Sequence, residues 1–182
     1  MASALEQAKA LLDITNGALD TALSYLKAQT LVNGKVSTVK LDDHQLAGYE
    51  ASYCAAELSA ANVMLNYHAQ VNNQKGEVNA KTEELIALQF TAETLQNCRT
   101  RFSARRADFG FDRAALATTV DSDDVDTFIN EHLSADNMVA LAKRVLSHDG
   151  NVGDHMLDEE KTMMQDSFKQ FAEDVVMPLA EE

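Results

Sequence analysis

Four leucines recur at strict seven-residue intervals, Leu5, Leu12, Leu19 and Leu26, with Ala8, Thr15 and Ala22 filling the second position of the same repeat. A strand has a side-chain period of two and cannot keep such a set on one face; an α-helix of 3.6 residues per turn can. The spacing therefore predicts a helix from near Ser3 to about Gln29 with a bundle-type apolar stripe. Little interrupts helices elsewhere, because the 182 residues include one proline, Pro178, and seven glycines. No strand pattern competes with this reading. The fold class expected is all-α, an antiparallel helical bundle in one compact domain with a short extra element.

Punctuation sets the remaining elements. Val32, Asn33 and Gly34 end the first helix, since Asn-Gly favours the left-handed backbone of helix stops and turns. A second long helix is predicted from Leu41 to His44 onward, with Asp42 or Asp43 as cap. Its stripe is read as Leu46, Tyr53, Ala60 and Tyr67 beside Tyr49, Ala56 and Val63. The polar run Asn72 to Gly76 makes the turn of a helical hairpin, and a third helix carries Leu85, Leu88, Ala92, Leu95 and Phe102. Residues 1–106 thus form a three-helix bundle region, and 107–121, which lose periodicity around Gly110, a connection. Residues 122–150 follow as a short helical pair packing on the bundle. Val125, Phe128 and Ile129 mark its first member, and Ser134 caps a second with Met138, Leu141, Ala142 and Val145. Gly150 to Gly153 stop it, and Asp158 caps a last helix striped by Leu157, Met164, Phe168, Phe171 and Val175 within 154–182.

Charge narrows the partners. Residues 1–120 hold 11 Lys+Arg against 13 Asp+Glu, whereas 121–182 hold 4 against 16. The C-terminal third therefore repels polyanions, which argues against nucleic acid and anionic membranes as partners. Arg99, Arg101, Arg105, Arg106 and Arg113 form the one basic cluster. A phosphate or small-molecule site is one reading of it; pairing with Asp121, Asp123, Asp124 and Asp126 is the more economical one. With no run of about 20 apolar residues and no signal-like start, a cytoplasmic protein is expected.

Catalytic constellations fail when tested. A di-metal bundle site needs Glu-x-x-His pairs, but Leu41, Leu65, Ile129, Val145 and Val152 stand three residues before the five histidines. Asp154, His155 and Glu159 offer at most an isolated metal site, and a solvated helix cap explains them better. No nucleophile elbow exists, and Gly150 with Gly153 is a lone Gly-x-x-Gly without a preceding strand. Cys54 and Cys98 lack metal-type spacing and read as buried, reduced thiols. Met138, Met156, Met163, Met164 and Met177 read as core residues, and Tyr49, Tyr53 and Tyr67 as seam residues. Catalytic, cofactor-binding and metal residues are therefore none in this chain.

One segment carries a family resemblance. Leu157, Asp158, Glu159 and Glu160, followed by Phe171, Ala172, Glu173, Asp174, Val175, Pro178 and Ala180, match in order the opening helix of acyl-CoA dehydrogenases. That helix typically begins with Leu, a capping residue and Glu-Glu-Gln, and Lys161 stands here in place of the Gln. The resemblance spans only about residues 155–182 and includes no catalytic position. It implies that 154–182 start such a domain and that the chain is the N-terminal helical region, a fragment, of a longer flavoprotein. In that longer protein FAD, an acyl-CoA thioester and a catalytic glutamate would lie in parts absent here. The partners implied are the remainder of the dehydrogenase chain and further copies in a homo-oligomer, with the stripe of Met164, Phe168, Phe171 and Val175 free to self-associate or dock. The alternative is a standalone helical interaction or scaffold protein that dimerises through the Leu5, Leu12, Leu19 and Leu26 seam.

Overall fold

The computed structural model describes residues 3–148, Gly150, Gly153 and 156–180. Two compact units divide at Gly153. In the first, helix α1 spans Ala4–Thr30. Its start is fixed by a capping box: the Glu6 N–H donates to Ser3 Oγ (3.2 Å), and the Ser3 N–H donates to Glu6 Oε2 (2.7 Å). Ala8, Leu11, Leu12, Thr15, Ala18, Leu19, Ala22 and Leu26 are buried, so the seven-residue repeat is the core stripe of this helix, with Leu5 half-buried at its edge. It packs on the helices Gln45–Lys75 and Lys81–Ala104 of the same chain, so Leu12, Leu19 and Leu26 of the repeat face that interior.

The strand-free expectation needs correction. β1 (Leu31–Val32) and β2 (Lys35–Val36) pair antiparallel, Leu31 opposite Val36 and Val32 opposite Lys35. Asn33 (φ 50°) and Gly34 (φ 77°) both take the left-handed backbone between them. A two-residue turn with positive φ at both positions is what joins twisted strands most easily, so the Asn-Gly that stops the helix also closes a hairpin.

A short α2, Thr38–Asp42, follows with Ser37 as its cap. Helix α3 then runs Gln45–Lys75 from His44, which makes no side-chain cap bond. Neither Asp42 nor Asp43 caps it; Asp42 accepts instead from the Gln45 side chain (3.0 Å). The expected stripe of α3 is also wrong by one position. Ala47, Ala51, Cys54, Leu58, Ala61 and His68 face inward, while Leu46 (51% exposed), Tyr49 (57%), Tyr53 and Val63 point out. Two sets at seven-residue spacing exist on this helix, and the smaller side chains win the interior because they let α3 approach its neighbours closely.

Gly76 (φ 80°) ends α3, and α4 spans Lys81–Ala104 with Glu83 and Glu84 in its first turn. These two helices form the most extensive pairing in the molecule, and α1 lies against both. The largest wholly buried side chains include Leu12 of α1, Leu58 of α3, and Leu95 and Phe102 of α4.

The segment read as a connection contributes core. Phe109, Leu116 and Val120 are buried, and the Phe109 and Phe111 rings meet Phe102 edge-on at 5.3 and 5.6 Å. Asp112 caps a short α5, Arg113–Ala117. Aperiodicity marked only the lack of a long helix, because a winding segment can bury residues at irregular spacing. Helix α6, Asp123–His132, starts at Ser122 and buries Val125, Phe128 and Ile129 as its pattern predicts. α7, Ala135–Ser147, is capped by Ser134, yet none of its residues is buried and Met138 is 54% exposed. Two hydrogen bonds join it to α4: Gln89 Nε2 donates to the Asn137 carbonyl (2.8 Å), and Arg144 Nε donates to Thr82 Oγ1 (3.1 Å).

The second unit is a single helical run. Asp158 caps α8, Glu159–Phe171, accepting from the Lys161 N–H (2.9 Å) and from Lys161 Nζ. A π-helical turn covers Ala172–Val176, with the Met177 N–H reaching back five residues to the Ala172 carbonyl, and α9, Met177–Ala180, continues it. Pro178 has no N–H to give to the fourth residue back and its ring crowds that carbonyl, which accounts for the widened turn ahead of it. Met163, Met164 and Met177 are exposed, contrary to their reading as core: one helix without neighbours in its own unit has no interior.

Candidate functional site

The densest grouping of chemically capable side chains lies along the α3–α4 hairpin. Arg101 Nε donates to Glu50 Oε2 (3.0 Å) and its Nη1 to Glu57 Oε2 (2.9 Å), and the guanidinium sits over the Tyr53 ring at 5.3 Å. Tyr49 stacks in turn on Tyr53 at 4.6 Å. The three charged side chains are each about one-fifth exposed (22–23%), so their bonds are neither screened like surface pairs nor fully desolvated. Burial opposes the Arg101 charge, but the Glu57 hydrogen bond and carboxylate outweigh it and hold the proton more firmly.

Directly beside this network lie Cys54 and Cys98, both free thiols with no solvent exposure. Cys54 is made more acidic by the hydrogen bond from Cys98, and also by the Arg101 charge, against the opposing effect of burial. The same hydrogen bond, added to desolvation, pushes Cys98 up. Gly76 is midway in sequence between the cysteines, so folding the hairpin about that turn brings them opposite one another. That symmetry was the available signal; spacing rules for local cysteine motifs do not test it.

Unsatisfied polar atoms mark the rest of the hairpin's second helix. Thr91 Oγ1, Thr94 Oγ1, Glu83 Oε2 and, on α6, His132 Nε2 are buried without a hydrogen-bond partner among the described residues. Each is a cost of folding unless something else supplies the partner. Desolvation lowers the pKa of His132, whose ring packs on Phe128 at 4.3 Å. Burial also raises Tyr67, helped by the Glu83 carboxylate.

Two cavities meet at the hairpin end of the bundle. One of about 310 Å³ and another of about 200 Å³ share Leu5, His68 and Asn72. His68, almost wholly buried, lines both, and its ring has no hydrogen-bond partner among the described residues. A third, of about 420 Å³, lies between α1 and the Gly110–Thr119 segment. Its hydroxyls are spent, because Thr21, Thr118 and Thr119 all donate to helix carbonyls, and its carboxylate, Asp112, caps α5.

The basic cluster disperses. Arg99 pairs with Asp126 (2.9 Å) and Gln96, Arg101 with the two glutamates of α3, and Arg105 faces Asp108 at 3.9 Å. Arg106 and Arg113 have no ion pair among the described residues, and the five do not converge on a phosphate-sized site. Asp154 and His155 lie outside the described residues, as do the ends of the resembling segment. Among the described residues no group of three or more His, Cys, Asp or Glu side chains is arranged to hold a metal, and no helix is long and apolar enough to cross a membrane. The sequence matches no protein-family model and no curated protein.

Proposed function

We propose that this chain is the N-terminal helical region of a flavin-dependent acyl-CoA dehydrogenase-like protein, structural or oligomer-forming in role, cytoplasmic, and without catalysis of its own. The ordered match from Leu157 to Ala180 carries the reading. Support comes from its setting, a separate unit in which Phe168 is 70% exposed and Met164, Phe171 and Val175 also stand exposed. An apolar stripe of that size is stabilised by being covered, and in this reading the cover is the remainder of the dehydrogenase chain or a second subunit. Two of the cavities among the described residues lack the donors FAD would need. The 420 Å³ cavity offers a carboxylate and committed hydroxyls where a pyrophosphate needs donors. The groove of about 520 Å³ along Met163, Met164 and Phe168 is apolar with Glu160 at its rim. No chemical step is therefore assigned to this chain.

The test is direct. The purified chain should show no flavin absorbance and no acyl-CoA-dependent dye reduction, and the native reading frame should continue past Glu182. Turnover by these 182 residues alone would overturn the reading, as would a natural stop codon at that point. The second reading, a standalone interaction or scaffold bundle, draws on the self-contained core of the first unit and on the outward Leu46, Tyr49 and Tyr53. It predicts the stop codon, and a self-association that mutation of those three residues abolishes.

A further inference from the structure

The register of the α3–α4 hairpin is pinned by Arg101, which lies one turn beyond Cys98 and bonds to Glu50 and Glu57, the residues one turn to either side of Cys54. Two antiparallel helices held in that register set Cys98 against Cys54 across the most extensive helix pairing among the described residues, with both residues sealed from solvent and neither in a disulfide. We propose that Cys54 and Cys98 are an oxidation site, joined by hydrogen peroxide into an intrachain disulfide that staples α3 to α4.

The roles are unequal. Cys54 has the Cys98 thiol as hydrogen-bond donor and the Arg101 guanidinium beside it, both favouring the thiolate; Cys98, desolvated and next to that sulfur, stays protonated. Thiolate character decides which sulfur attacks. The Cys54 sulfur therefore attacks one peroxide oxygen, the O–O bond breaks, and the departing hydroxide takes up the proton Cys54 released, leaving a sulfenic acid and one water. The Cys98 sulfur then attacks the Cys54 sulfur and the S–O bond breaks. The leaving hydroxide takes the Cys98 proton as a second water. Two thiols lose two electrons to one peroxide. Complete burial selects a small neutral oxidant.

Treatment of the full chain with hydrogen peroxide, followed by denaturation, thiol counting and mass spectrometry, tests this without any variant. The expected product is monomeric, has lost two hydrogens and both free thiols, and yields one peptide pair linked through Cys54 and Cys98. Its melting temperature should exceed that of the reduced chain by on the order of 10 °C, as closure of a long loop implies, and dithiothreitol should restore the original value. In Cys98→Ser, a Cys54 sulfenic acid should accumulate and be trapped by dimedone, while in Cys54→Ser the Cys98 thiol should stay unmodified. Two intact thiols after treatment, sulfinic acids in place of the disulfide, or a disulfide-linked dimer would each overturn the proposal. Dimedone labelling of Cys98 in Cys54→Ser at the rate seen for Cys54 would overturn the division of roles.

Discussion

Replacing Arg101 by alanine removes the one cation between Glu50 and Glu57 and leaves two carboxylates facing the same space. Breaking a fully buried pair costs about 3–5 kcal/mol, and an exposed pair is worth only about 0.2–1 kcal/mol. At one-fifth exposure, with two charge-assisted bonds of 2.9 and 3.0 Å lost together, the expected cost is about 2 kcal/mol. For a unit of this size that lowers the melting temperature by roughly 4–8 °C. Urea unfolding followed by far-UV circular dichroism should show a lower midpoint with an unchanged slope. The decisive arm is the same substitution in a Glu50→Gln, Glu57→Gln background, where the arginine no longer neutralises anything and its removal should cost less than about 1 kcal/mol. An equal loss in both backgrounds would refute the reasoning, because the guanidinium would then act through its packing on Tyr53 instead of its charge.

Thr91→Val and Thr94→Val each exchange a buried, unpartnered hydroxyl for a methyl group of similar size, and should raise the urea midpoint by an amount equivalent to about 0.5–1 kcal/mol. His132 is held neutral by burial, its folded pKa lying below the unfolded 6.5; its contribution is therefore complete above that value and is lost as pH falls through the folded pKa. His132→Phe should flatten the stability profile on that acidic side, which melts at a series of pH values will show. Gly110→Ala places a methyl group 2.4 Å from Tyr25 Cδ2 at a φ of +72° and should destabilise by about 2 kcal/mol or more, read from the same urea transitions.

The reach of sequence reasoning here follows from how local each signal is. Ser134 and Asp158 announce helix starts because a cap acts within one turn, and both cap where expected. The leucine repeat of α1 is equally local, and its core face was legible. On α3 two apolar stripes compete, and only the neighbouring helices decide that Ala47, Ala51 and Cys54 go in while Tyr49 and Tyr53 go out. Sequence alone offers Arg101 the Asp121 to Asp126 stretch as partners, and its pairing with Glu50 and Glu57 is hidden for the same reason: it depends on the register of a hairpin, a property of two helices together. Phe109, Leu116 and Val120 escaped because burial without periodicity leaves no pattern to read.

α7 is moored to the bundle, not embedded in it. Gln89–Asn137 and Arg144–Thr82 tie it to α4, and Asn137 Nδ2 donating to the Glu131 carbonyl (2.7 Å) ties it to α6, so polar bonds and partly covered residues hold it, in place of a buried apolar face. The side of the bundle that α7 covers is therefore the one whose closure depends on hydrogen bonds more than on buried apolar surface.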